Sequence, residues 1–251
     1  MRRRPGVWAL LLVDLQSWLT RPTFRVALAL AVLVVVIALR GAPAQGAALF
    51  RTVLGGPAVG LMGGQLRTGP GWTGFVVGVL FLVACLGSVD TDPAWICLVL
   101  ARGASRARWA LARLLTLAVG AVLFFAVLVA VIGLAFAVGW RPGPFLSSAT
   151  SWDFWLWPLG LISVAWFAMA VALVAGTVWP SLACTFLLLS LARFGGNLAP
   201  YIPFSQWIVD LHGLPGTLSV VSGVLYVAVW AIVSAGAVFA AAGIRLGEAG
   251  R

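Results

Sequence analysis

Between Arg113 and Arg141 the chain carries no charged residue. Residues 106–138 therefore read as one apolar helix, longer than the roughly 20 residues that cross a bilayer. Trp140-Arg-Pro-Gly-Pro144 ends it, because proline removes a backbone donor and clashes with the preceding turn. No soluble core fits the rest of the chain either. It is 63% hydrophobic and only 9% charged, with a mean hydropathy of +1.10. The solvent must be mostly lipid. No polar half and no Ser/Pro-rich linker interrupts the pattern, so residues 1–251 read as a single transmembrane domain. The expected class is an all-α integral membrane protein.

Six spans are expected, at about 24–39, 72–89, 106–138, 154–178, 182–194 and 217–242. The first and fifth are short for a bilayer, and Arg25 and Arg40 would have to snorkel. Trp179-Pro-Ser181 is expected to be the break between the fourth and fifth. Trp152, Trp155 and Trp157 form an aromatic belt at the start of the fourth. Residues 41–71 are Gly- and Pro-rich and read as a loop, with a short helix near 47–54. Residues 195–217 combine glycines and prolines with an apolar piece too short to span, which reads as a re-entrant or surface segment on the outer side. The tail 243–251 is brief.

Residues 7–21 precede the first span. Trp8, Leu11, Leu12, Leu15, Trp18 and Leu19 recur at steps of three and four, with Asp14, Ser17, Thr20 and Arg21 on other faces. Such a helix can lie in the interface with its tryptophans at head-group level, and Pro22 ends it. Trp8, Leu11, Leu15 and Trp18 are the candidate anchors. The start Met1-Arg-Arg-Arg resembles a signal-peptide n-region, but Asp14, Gln16 and Arg21 break the apolar run behind it. It reads as retained.

Charge sets the orientation. The net charge of +10 comes from 16 arginines with no lysine. They sit at span ends, which favours anionic head groups over nucleic acid as partner. Six spans put both termini on one side. On that side fall Arg2, Arg3, Arg4, Arg21, Arg25, Arg102, Arg106, Arg108, Arg113, Arg245 and Arg251; on the other fall Arg40, Arg51, Arg67, Arg141 and Arg193. The excess places both termini in the cytoplasm. Arginine without lysine, with abundant Ala, Gly and Val, points to a bacterial plasma membrane protein from a GC-rich genome.

The same topology puts residues 90–105 in the cytoplasm. Asp92 can cap a helix and Pro93 suits its first turn. Trp95, Ile96, Leu98, Val99 and Leu100 make a helix too short to cross a bilayer, which Gly103 can end, and Ser105 can cap the next. Arg102, Arg106, Arg108 and Arg113 follow. On pattern alone this is either a docking element for a soluble partner or a basic loop that fixes topology.

Catalytic chemistry has little to work with. His212 is the only histidine, and Cys85, Cys97 and Cys184 form no CxxC pair, so no metal site and no nucleophile relay is expected. The spans hold Ser163, Thr116, Thr177 and Ser190 without an acid or histidine nearby, which argues against an intramembrane enzyme. A secondary, ion-coupled transporter would show matching halves and a mid-span acid, and neither is visible. A non-transporting membrane anchor that recruits a soluble protein is the other alternative.

Over its whole length the pattern resembles the permease subunits of ABC type-2 transporters. The stretch that carries the resemblance best is Ala101-Arg-Gly-Ala-Ser-Arg-Ala-Arg-Trp-Ala-Leu-Ala-Arg113, with Trp8–Arg21 similar to the family's N-terminal helix. The family's frequent early glutamate is absent; Asp90 and Asp92 stand in its region. The resemblance implies an exporter permease whose short helix 93–102 docks on a separate ATPase subunit. It implies contacts through Asp90, Asp92, Trp95, Ile96, Val99, Arg102 and Arg106. It also implies two ATPase copies and a second permease, identical or similar. The chain has no GxxxxGK[ST] loop to cradle phosphates, so it is not itself expected to be an enzyme. No cofactor is expected in it, ATP and Mg being held by the ATPase subunits.

Overall fold

In lipid, backbone N–H and C=O groups find no water, and a helix satisfies them within one segment. The computed structural model describes residues 6–41, 61–62, 65–66, 72–86, 105–138, 152–194 and 220–248. Among these residues there are seven helices: α1 Val7–Thr20, α2 Pro22–Gly41, α3 Trp72–Leu86, α4 Arg106–Ala137, α5 Trp152–Ala175, α6 Val178–Phe194 and α7 Val220–Glu248. The expected loop 41–71 contains a minimal antiparallel pair, β1 Leu61–Met62 with β2 Gln65–Leu66, in the register Leu61 opposite Leu66. Otherwise the described chain is helical.

Four helices (α2, α4, α5 and α7) are long and apolar enough to cross a membrane, which is the pattern of a membrane protein. The 15 residues of α3 and 17 of α6 reach about 22 and 26 Å at 1.5 Å per residue, short of a ~30 Å hydrocarbon core. The 32 residues of α4 reach about 48 Å and outrun it.

Helix ends follow local chemistry. Arg21 precedes Pro22 and is extended (φ −67°, ψ 135°), since the proline ring disfavours the helical region for its predecessor. Pro22 then opens α2, where a missing N–H costs nothing. The Ser105 hydroxyl accepts from the Arg108 N–H at 3.2 Å and caps α4, as its sequence position suggests. The α5–α6 break differs from expectation. It falls at Gly176, in the left-handed region at φ 73°, whose N–H donates to Ala172 O at 2.8 Å. Pro180 therefore lies inside the first turn of α6, where helix N–H groups have no intrahelical partner anyway. The sixth expected span also runs further than supposed, with α7 continuing through the tail to Glu248.

The helices after α1 alternate in direction. Phe24 at the start of α2 and Ala84 at the end of α3 both touch Trp18. α4 leaves from that same end. α5 returns to it, the Trp166 indole N–H donating to Leu114 O at 3.0 Å. α6 starts there, the Ser181 hydroxyl bonding to Ala168 O of α5. α7 comes back to it, its Gly243 O accepting from Arg106 at 3.2 Å. The most enclosed span is α5, 61% buried against 28% for both α2 and α7. α5 is thus the central helix and the other two are peripheral. Alanines at the contacts (Ala27 and Ala31 of α2, Ala165, Ala168 and Ala172 of α5) are buried and let backbones approach closely. On the outer side of α2, Val26, Leu30, Leu33 and Ile37 form an exposed apolar stripe suited to lipid.

Candidate functional site

The end of the bundle where α3 stops and α4 begins gathers most of the described cationic positions. Arg21, Arg25, Arg106, Arg108, Arg113 and Arg245 belong to it by their helix positions, whereas Arg40 and Arg193 belong to the other end. α1 lies here too. It runs beside α4 in the same sense: Asp14 meets Arg113, and Trp18, one turn on, meets Gly120.

The apolar stripe of α1 divides. Trp8 and Leu12 remain 74% and 63% exposed, consistent with a lipid-facing side. Leu11 and Trp18 are buried, and Leu15 packs against the core, so these three anchor α1 to protein rather than to lipid. Trp18 is the deepest of them. Its ring lies over Gly120 of α4 and 4.6 Å from Phe24, and its indole N–H donates to Ala84 O of α3 at 2.9 Å. Arg25 does not need to reach far into solvent: its Nε donates to Leu19 O at 3.2 Å and helps satisfy the last carbonyls of α1.

One turn before Trp18, Asp14 Oδ2 stands 3.3 Å from Arg113 Nε. The two side chains are only 13% and 11% exposed. The Arg113 guanidinium also sits 5.7 Å from the centre of the Trp109 ring, within cation–π range. Asp14, Ser17, Arg113, Thr116 and Met169 line a shallow cleft around the pair. The Thr116 hydroxyl is committed to Ala112 O at 2.9 Å. An arginine cannot give up its proton at ordinary pH, so this acid–guanidinium pair is a clamp and not a proton relay. No group of three or more His, Cys, Asp or Glu among the described residues could hold a metal ion.

The pairing of Asp14 was not foreseen. The usable signal was an acid within an otherwise apolar helix, which requires a partner. Its partner lies on α4, far away in sequence, and only helix packing identifies it.

Of the expected partner-contact residues, Arg106 is described; it is exposed and tied to Gly243 O. Asp90, Asp92, Trp95, Ile96, Val99 and Arg102 lie outside the described residues, as do the short helix near 47–54 and the segment 195–217. Of the cysteines, Cys85 is buried and Cys184 exposed, and both are free thiols. No protein-family model, characterised protein or solved structure matches the chain.

Proposed function

We propose that this chain is the membrane-spanning permease subunit of an ATP-driven ABC type-2 exporter in a bacterial plasma membrane. It crosses six times, α3 and α6 being the second and fifth spans with local thinning of the bilayer around them. Both termini and residues 87–104 face the cytoplasm. A separate ATPase subunit, present twice and holding ATP and Mg, docks on the helix 93–102 through Trp95, Ile96 and Val99, with Asp90, Asp92, Arg102 and Arg106 around it. A second permease, identical or similar, completes the pathway.

The observation that carries this reading is the end of the bundle from which residues 87–104 emerge. Six described arginine positions lie at that end against two at the other, the bias of a cytoplasmic face. α4 is about 18 Å longer than a hydrocarbon core, enough to carry its first three turns beyond the bilayer. A rigid helix of that length can turn a push on the preceding segment into movement of a span.

The test is gentle extraction of the tagged protein from its native membrane and mass spectrometry of what stays bound. A stoichiometric protein with a phosphate-binding loop is expected, and Trp95→Asp with Val99→Asp should strip it off while the permease stays inserted. A bare oligomer under crosslinking, or a complex that survives both substitutions, refutes the assignment.

A further inference from the structure

We infer that α1 is a clasp that sets the gap between the two helices flanking residues 87–104. Trp18 touches both of them, beside the direct packing of Phe81 of α3 on Phe124 of α4 at 5.1 Å. Its indole N–H donates to Ala84 O, two residues from the end of α3, and its ring fills the notch that Gly120 leaves in α4. With 1% exposure it has nowhere else to go. Asp14 supplies the second attachment, at Arg113, one turn nearer the start of α1 and about two turns nearer the start of α4. Two attachments on one rigid helix prevent rotation about either of them. α1 is therefore fixed to α4 as a body, and α3 is tied to that body through Ala84.

The ion pair is suited to this role by its surroundings. Both side chains are close to nine-tenths covered, so removing one partner takes an ionic contact away from a nearly buried charge, and that is costly. A fully exposed pair would hold nothing. Asn at position 14 keeps the shape and removes the charge. The clasp does not depend on what residues 87–104 bind.

The experiment is distance measurement by pulsed EPR on the full chain in lipid nanodiscs, after replacing Cys85, Cys97 and Cys184. Spin labels at Leu12 and Leu111, both on exposed surfaces, report α1 against α4; labels at Val83 and Leu111 report the α3–α4 gap. With Asp14 and Arg113 intact, both distributions should be single and narrow. Asp14→Asn should broaden both at least twofold, Arg113→Gln should do the same, and the exchanged pair Asp14→Arg with Arg113→Asp should narrow both again. If the single changes broaden only the α1–α4 distance, α1 is a passenger and the clasp is refuted. Unchanged distributions in Asp14→Asn and Arg113→Gln refute it too, as does an exchanged pair that folds and leaves both distances broad. Should the exchanged protein not fold, agreement between the two single changes decides the matter.

Discussion

Gly120 offers the sharpest test of how α1 is seated. A Cβ added there would fall 2.6 Å from Cε3 of Trp18 and closer still to Cζ3 and Cη2. A flexible side chain could yield, but this indole is held on three sides: by Phe24 at 4.6 Å, by the bond from its N–H to Ala84 O at 2.9 Å, and by its own burial. Gly120→Ala must therefore expel the ring. Emptying a buried tryptophan site costs about 3–5 kcal/mol, which includes a hydrogen bond of about 0.5–1.5 kcal/mol. Alanine in place of glycine within a helix returns about 0.5–1 kcal/mol. The net loss should be about 2–4 kcal/mol. In a Trp18→Ala background the same substitution meets empty space and should stabilise by about 0.5–1 kcal/mol. The two positions should then couple by about 3–5 kcal/mol, the cost of emptying the tryptophan site. Reversible unfolding in mixed micelles, followed by circular dichroism on the four proteins of the cycle, measures this. Tryptophan fluorescence is unsuitable because the chain has 13 tryptophans. A cost for Gly120→Ala that is equal in both backgrounds, or absent in the wild-type background, would show that Trp18 does not occupy the notch.

Other substitutions probe single links. Ser105→Ala removes the hydroxyl that caps α4 and should cost about 1 kcal/mol in the same unfolding assay, while Ser105→Asp should retain most of the stability. Gly176→Ala places a Cβ on a left-handed residue and should destabilise the α5–α6 turn by about 1–2 kcal/mol, with Gly176→Asn costing less. Trp18→Phe keeps an aromatic ring but removes the donor to Ala84 O, so a loss of about 1 kcal/mol or more is expected, most readily seen as faster hydrogen exchange in α1. In a cysteine-free background, an impermeant thiol reagent added outside intact cells should label Arg40→Cys and spare Arg108→Cys; the reverse pattern would invert the proposed topology.

The helices were legible because each is a local matter. A long uncharged run, a serine before an arginine-rich turn and a proline after Arg21 act within a few residues, and α1, α2 and α4 lie close to where those signals put them. The α5–α6 break was misplaced for the same kind of reason. Trp179-Pro-Ser181 is a strong local breaker, yet the first turn of a helix tolerates proline, and Gly176 offered a cheaper stop.

What the sequence determined by itself is the apolar, helical character of the described segments, the rough extent of several of them, and the charge bias between their ends. These depend on composition and on chemistry within one turn. Tertiary structure alone decided what α1 does with its stripe. Periodicity shows that Leu11, Leu15 and Trp18 share a face, but lipid and protein are equally apolar and periodicity does not choose between them. The choice required a notch at Gly120, an accepting carbonyl at Ala84 and a cation at Arg113, all at least 66 residues from their α1 partners. A side chain enters protein rather than lipid when a complementary shape and a polar partner meet it there, and only the packed helices bring those together.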